Sequence, residues 1–246
     1  MGRVSRPFRR LRLLFKILFF YDIISLVYNV HMQNRIGANI SRRQQMGILF
    51  TVIGKSASGK DRIYKELLRD ESLDLKPFVT CTTRPMRTGE KNGREYFFTD
   101  VEKMRKLEAA GKIVESRVYP TVHGDWYYFT ADDGQMDSGK NLLGICTLES
   151  YNALKRHYGT EKVCPLYITC EDGTRLMRSI EREKRQKEPS YAEVCRRFLA
   201  DEEDFSAEKI REAGIERFFS NDHRIEECLS ELNKYILEII KKAQPR

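Results

Sequence analysis

The chain has 246 residues, enough for one α/β domain with a sizeable core, and its 41% hydrophobic and 33% charged residues are ordinary for a globular protein. The chain has 44 Lys/Arg and 36 Asp/Glu, and residues 1–45 contain nine of the basic residues and one of the acidic residues. Residues 46–246 therefore hold 35 charges of each sign. This balance argues against the basic surface of a nucleic-acid-binding domain. The six cysteines form no CxxC pair and the four histidines are scattered, which indicates free thiols in a reducing cytoplasm and argues against disulfides or zinc.

Residues 1–45 begin with a basic stretch and continue into an apolar one, Leu13 to Val27. Lys16 and Asp22 interrupt the apolar stretch, and no small-residue cleavage site follows, so it does not match a signal peptide or a membrane span. Three interpretations stay open: a dispensable extension before a translation start at Met46, a helix on a membrane surface, and an export or anchoring segment. The first is favoured, because Met46 directly precedes the first predicted strand.

From Met46 onward, strand-like and helix-like segments alternate. The apolar run 48–53 ends at Gly54 and predicts a strand buried on both faces. Strands are also expected at 141–147, 163–170 and 215–219. Apolar periodicity predicts helices carrying Ile63 and Leu67, then at 148–158, at 190–209 with a capping box of Ser190 and Glu193, and at 225–240. This alternation predicts a parallel sheet covered by helices on both faces.

Residues 78–130 break that rhythm. They are rich in strand-forming residues at 94–98, 114–119 and 126–129, with one short helix at about 101–110. The pattern predicts a small mixed lobe inserted into the α/β core.

A glycine-rich loop follows the first predicted strand and fits the pattern G-x-x-x-x-G-K of a phosphate-binding loop: Gly54, Lys55, Ser56, Ala57, Ser58, Gly59, Lys60 and Asp61. The glycines let backbone N–H groups turn toward phosphate oxygens, and Lys60 would neutralise the β- and γ-phosphates of a nucleoside triphosphate. Asp61 stands where Ser or Thr is usual, and its carboxylate is expected to ligate Mg²⁺. The loop therefore predicts a site for ATP and Mg²⁺.

A second motif runs from Thr80 to Phe98 and carries groups suited to a phosphate monoester. Arg84 and Arg87 can bind phosphate through paired N–H groups, and the hydroxyl of Tyr96 can donate to the same phosphate. A single arginine is most often a solvated charge, but two arginines around two glycines and an aromatic pair favour a binding site. The stretch resembles the signature T-T-R-x-x-R-x-G-E-x-x-G-x-x-Y-x-F of guanylate kinases, which are P-loop nucleoside monophosphate kinases.

The resemblance extends over residues 46–242 and implies a fold: an α/β P-loop kinase of three layers, with a central parallel sheet, an inserted mixed α+β lobe at about 78–130 that binds the acceptor, and a helical lid at about 171–198. It also implies roles for individual residues. Those expected to contact the acceptor are Thr80, Arg84, Arg87, Glu90, Tyr96, Glu115 and Tyr127, with Thr80 and Glu115 at the base. Those expected to be catalytic are Lys60, Arg84, Arg178, Arg182 and Arg197, with Arg175 and Arg185 as nearby substitutes. Asn221 is expected to approach the donor nucleotide.

The activity implied by the resemblance is ATP-dependent phosphorylation of GMP to GDP in the cytoplasm. Two departures from the family pattern leave alternatives open. The segment Gly144 to Glu149 lacks both acids of the family's I-D-x-x-G motif, and the family's Y-G-[ST] is displaced within Tyr127 to Thr130. A P-loop kinase with another small acceptor, or a non-catalytic module that binds a protein ligand, therefore stays an alternative.

Overall fold

A computed structural model of the chain describes residues 47–121 and 124–243. The predictions made for residues 1–45, including the translation start at Met46, lie outside the described residues. These described residues belong to one compact unit. None of the described helices is long and apolar enough to cross a membrane.

The central sheet contains five parallel strands in the order β2-β7-β1-β8-β9. Their bounds are β1 (Leu49–Ile53), β2 (Lys76–Pro77), β7 (Leu142–Ile145), β8 (Val163–Thr169) and β9 (Phe218–Ser220). β1 is central and buried along its whole length, as a continuous apolar run predicts for a strand that is covered on both faces. The phosphate loop follows the carboxyl end of this strand.

Helices cover both faces of the sheet. They are α1 (Lys60–Arg69) and α7 (Ile225–Ala243) on one face and α3 (Leu148–Tyr158) and α6 (Ala207–Glu212) on the other. Helices α4 (Asp172–Glu183) and α5 (Tyr191–Asp204) pack against each other, and α2 lies in the lobe described below. Successive residues of β1 point to opposite faces. Phe50 and Val52 pack with residues of α1 and α7, whereas Leu49 and Ile53 pack with residues of α3. The resulting three layers confirm the predicted fold class.

The lobe is a second, four-stranded sheet in the order β4-β3-β6-β5. Its elements are β3 (Cys81–Thr82), β4 (Phe97–Phe98), α2 (Val101–Ala109), β5 (Ile113–Thr121) and β6 (Gly124–Ala131). β5 and β6 are antiparallel, and a bulge between Ile113 and Glu115 sets the register in which Glu115 faces Thr130. Met104 of α2 and Phe129 of β6 anchor a small separate core, so the predicted mixed lobe is present.

Several element boundaries differ from the sequence-based expectations, each for a local reason. β7 ends two residues before Thr147, because the Thr147 hydroxyl accepts the Ser150 N–H (3.2 Å) and caps α3. The capping box was wrong: the Ser190 side chain caps nothing, and Glu193 binds Arg196 and Arg197 instead. The helix predicted through Lys209 divides into α5 and α6, because Ser206 caps a new helix. The late strand begins three residues after Ile215.

Candidate functional site

The phosphate loop connects β1 to α1, and its shape depends on one glycine and one asparagine. Gly59 has φ +92° and immediately precedes α1. A Cβ at that position would lie 2.2 Å from Nδ2 of Asn221, so a larger residue would have to displace the Asn221 side chain. The buried Asn221 side chain donates to the Ser58 carbonyl oxygen at 2.7 Å. Asn221, which directly follows β9, therefore stabilises the conformation of the loop.

Lys60 is the first residue of α1 and is partly buried against the loop. Its Nζ lies 3.4 Å from the Lys55 carbonyl oxygen. Burial lowers the pKa of Lys60, while the negative charges of Asp61 and Asp201 partly oppose that shift. Asp61 is exposed in the first turn of α1, so its carboxylate is free to face a nucleotide-bound cation.

A cavity of about 530 Å³ separates the loop from the lobe. Gly54, Ser56 and Lys60 line one side, and Arg117 and Tyr119 of β5 line the other. The start of α3 and the end of α5 complete the walls. The size is within the range of small-molecule sites, and the arrangement places phosphate-binding and lobe residues around one space.

The expected acceptor-phosphate residues cluster around Arg84, which is only 3% exposed. Arg84 makes a two-pronged contact with Glu90, with nitrogen–oxygen distances of 3.0 and 2.8 Å, and its Nε donates to the Tyr128 hydroxyl at 3.1 Å. Its guanidinium also lies 5.7 Å from the centre of the Tyr96 ring. Arg87 is exposed, and its side chain has no hydrogen-bond partner among the described residues. These groups are therefore brought together, with Arg84 held mainly by protein partners.

Tyr127 is not brought to this cluster. Side chains alternate along a strand, and Tyr127 lies with the lobe core, its ring 5.7 Å from the Arg105 guanidinium. Its neighbour Tyr128 meets Arg84 and packs edge-on against Tyr96, with ring centres 5.5 Å apart. Tyr128, and not the expected Tyr127, therefore lies beside Arg84 and Tyr96, because the Y-G-[ST] motif is displaced by one residue.

Glu115 lies at the floor of the lobe with a side chain that is 7% exposed. The Thr130 hydroxyl donates to its Oε1 at 2.8 Å, so Thr130 supplies the hydroxyl of the displaced motif. Arg117 Nε lies 3.3 Å from its Oε2. Thr80 is partly exposed, and its carbonyl oxygen accepts the Phe97 N–H. Strand alternation from Glu115 could have identified Arg117 in advance, because residues two apart share a face.

The expected lid arginines occupy two places. Arg178 donates to the Cys170 sulfur and to the Asn221 carbonyl oxygen, which ties it to the base of the loop. Arg182 and Arg197 line a small cleft between α4 and α5 together with Ser56 of the loop. Both are exposed, and Arg197 pairs with Glu193 at 2.6 Å. The substitute Arg185 is exposed beside the same helix pair.

Arg175 is different, because it is 1% exposed and fully engaged. It binds Asp172 of its own helix, Asp201 and Glu202 of α5, and the Ser56 carbonyl oxygen. Asp201 in turn accepts the Ser56 backbone N–H at 2.7 Å. Arg175, which the sequence offered as a substitute catalytic arginine, is therefore a buried link between the helix pair and the phosphate loop in this structure. Its position between two helices gave no signal in the sequence.

The sequence of this chain is similar to those of known proteins. The sequence profile of the family described as Guanylate kinase matches residues 47–128, the part that holds the loop and most of the lobe. Guanylate kinase of Porphyromonas gingivalis is 29% identical over 182 residues, which cover 67% of this chain and 95% of that protein. Human guanylate kinase is 28% identical over 192 residues, which cover 78% and 93%.

The chain is similar in sequence to guanylate kinases, through the family profile at residues 47–128 and through these two relatives along most of their length. The crystal structure of guanylate kinase from Anaplasma phagocytophilum aligns with a TM-score of 0.50 at 22% identity, covering 79% of this chain and 87% of that one. At that identity the likeness concerns the fold, and it supports the central parallel sheet with a second sheet beside it.

Gly144 and Cys146 occupy the positions at which the guanylate kinase pattern has acids. A Cβ at Gly144 would approach Phe78 to 3.3 Å, so the close packing of this aromatic ring leaves little room for an acidic side chain. Cys146 is buried beside Glu115 and Arg117, and burial raises the pKa of its thiol to about 12. The acid at this position is therefore replaced by a neutral group.

Proposed function

We propose that this protein transfers the terminal phosphate of ATP to a nucleoside monophosphate, with GMP as its best acceptor, and that it works in the cytoplasm. The observation that carries the proposal is the cavity that Lys60 and its loop share with Arg117 and Tyr119 of the lobe. Matches to guanylate kinases along nearly their whole length support it. The six cysteines, all free, suit a reducing compartment.

The donor phosphates lie in the loop, with their charge offset by Lys60 and the N-terminus of α1. Arg182 and Arg197, at the cleft beside Ser56, approach the phosphoryl group during transfer and stabilise its spread negative charge. Asn221 keeps the loop in shape. Phosphoryl transfer depends mainly on positioning and charge neutralisation, and these residues supply both.

A Mg²⁺ ion fits this site, because the exposed Asp61 carboxylate follows Lys60 directly and Mg²⁺ in kinases commonly takes one or two carboxylates besides phosphate oxygens. The ion supplies additional charge neutralisation on the donor phosphates.

The acceptor phosphate binds Arg84, Arg87 and Tyr96. Four of the five N–H groups of Arg84 are engaged by Glu90, Tyr128 and the Pro85 carbonyl oxygen, so Glu90 orients the guanidinium and one N–H stays for the phosphate. The base lies against Glu115 and Thr80. Guanine N1–H and N2–H can both donate to one carboxylate, whereas adenine N1 would present a lone pair to it.

The deciding experiment follows ADP release from ATP and Mg²⁺ with GMP, dGMP, AMP, UMP or CMP as acceptor. We expect GMP to give the highest kcat/KM. ADP release that no acceptor stimulates would favour the non-catalytic binding module, and a different best acceptor would favour a related kinase.

The matching variant is Lys60→Ala, which we expect to lower kcat at least about a thousandfold, because Lys60 is the main protein cation on the transferring phosphate. Lys65→Ala, an exposed lysine on the same helix, is the control and should keep normal turnover. A folded Lys60→Ala variant with near-normal turnover would show that the loop does not hold the donor.

A further inference from the structure

Arg117 lies on the same face of β5 as Glu115, two residues further along the strand. In the register of the lobe sheet, Glu115 faces Thr130 and Arg117 faces Tyr128. Arg117 lines the cavity shared with the phosphate loop and also a second cavity beside Tyr96 and Tyr128. It therefore stands between the expected positions of the acceptor base and the acceptor phosphate.

The facing atoms of Glu115 and Arg117 are both buried and incompletely satisfied. Glu115 Oε2 and Arg117 Nε are 3.3 Å apart, yet neither atom has a hydrogen-bond partner within the described residues. Arg117 Nη1 makes only a long contact, 3.4 Å, to the Thr147 hydroxyl. The two charges offset each other, but buried polar atoms whose hydrogen-bonding capacity is unfilled still cost free energy. A ligand that brings one acceptor and one donor side by side would fill both.

The charge balance around this pair favours an uncharged ligand group. Glu115 and Arg117 cancel each other, the neighbouring Cys146 thiol is neutral because its pKa is raised to about 12, and Gly144 has no side chain. A phosphate would be opposed by Glu115, whereas a neutral base pairs with an adjacent donor and acceptor at little electrostatic cost.

We propose that Arg117 determines acceptor specificity by donating to the 6-oxo group of a 6-oxopurine nucleoside monophosphate, while Glu115 accepts the adjacent N1–H. This inference rests on the proposed function and adds a second residue, besides Glu115, that recognises the base. Adenine carries an amino group at position 6 and a lone pair at N1, so it would present both polarities in reverse. Arg117 thus contributes to recognition of the base in a site that lacks the family's acids at Gly144 and Cys146.

The test compares acceptors that differ at position 6 in wild type, Arg117→Met and Arg117→Lys. GMP and IMP both carry the 6-oxygen and N1–H, whereas 6-thio-GMP keeps N1–H but offers sulfur, a weak acceptor. For Arg117→Met we expect kcat/KM to fall by about 10- to 100-fold on GMP and on IMP alike, chiefly through KM. The fall in kcat/KM on 6-thio-GMP should be below about threefold, because this acceptor already lacks the oxygen that Arg117 would contact.

Arg117→Lys keeps one donor and a positive charge, so its loss on GMP should be intermediate. Arg105→Met, in the same lobe but packed on Tyr127 at the opposite face, is the matched control and should leave all three acceptors unchanged. Equal losses of Arg117→Met on GMP and 6-thio-GMP would assign Arg117 a structural role. An unchanged kcat/KM on GMP would show that Arg117 takes no part in base recognition, and a raised one that it obstructs the base. Either result overturns the inference while the activity of the wild type stands. A wild type without GMP-stimulated ADP release would overturn the proposed function itself.

Discussion

Asp61 is the residue at which this phosphate loop departs from the common pattern. Because its side chain is exposed, we expect the protein to tolerate substitution there. The carboxylate lies in the first turn of α1 and forms no hydrogen bond with any described residue. We expect Asp61→Ser to keep kcat/KM for ATP within about threefold, because a hydroxyl is the more usual metal ligand at this position. Initial rates over a Mg²⁺ titration measure this directly.

The control for that titration is Asp61→Ala, which removes the ligand and should need more Mg²⁺ to reach the same rate. If Asp61→Ser loses activity that added Mg²⁺ does not restore, Asp61 acts on the protein and not on the cation. Its raising effect on the Lys60 pKa would then be the first property to examine.

The sequence predicted residue types at the site better than their contacts. Arg84, Glu90 and Tyr96 were expected near one another and are, because a contiguous motif fixes its own spacing. Tyr127 was misplaced because a motif displaced by one residue reverses the face of a strand. The pairing of Arg84 with Glu90 was not foreseen either, since a family pattern names residues without their partners.

At the scale of elements, Arg175 joins α4, α5 and the phosphate loop, and its removal should be costly. We expect Arg175→Met to lower the free energy of unfolding by about 3–5 kcal/mol, because it leaves the Asp201 carboxylate, only 12% exposed, without its charge partner. The partly exposed Asp172 and Glu202 contribute less, since solvent screens them. Urea unfolding followed by circular dichroism measures the change.

Arg196→Met is the matched control for this prediction. Arg196 pairs with Glu193 on α5, but its side chain is 65% exposed, so its loss should change stability by less than about 0.5 kcal/mol. The double variant Arg175→Met/Asp201→Asn should recover part of the loss, since it no longer buries an unpaired charge. Equal stability of Arg175→Met and wild type would show that the buried network contributes nothing net.

Elements with a long apolar period were predicted well, and short or capped ones were not. β1, α3 and α7 were located to within three residues at each end, because each buries several apolar side chains at regular spacing. β2 and β3 are two residues long and are defined by pairing with distant strands, which a local pattern does not contain. The ends of β7 and α5 depend on single capping hydroxyls.

For the whole molecule, the alternation of strands and helices was enough to predict a covered parallel sheet with an inserted lobe. The sequence did not show that residues of the lobe and of the phosphate loop line the same cavity. Arg117 and Lys60 are 57 residues apart and line the same space, and Asp201 reaches Ser56 from 145 residues away. Such contacts arise from tertiary packing, so they were absent from any predicted segment.

The last prediction concerns the extent of the working domain. Three apolar clusters draw on residues from Ile48 to Ala243, and the phosphate loop follows β1 directly, whereas residues 1–45 carry all of the excess positive charge. We therefore expect a chain that begins at Met46 to unfold within about 2 °C of the full chain and to keep its kcat/KM for GMP.

A chain that begins at Thr51 is the contrasting variant. It lacks Leu49 and Phe50, which are fully buried in β1 between β7 and β8, so it should fail to fold. Thermal unfolding and ADP release on the three chains together locate the boundary. If the Met46 chain is insoluble or unfolded while the full chain is sound, residues 1–45 contribute to the stability of the domain, and the interpretation of a dispensable extension is wrong.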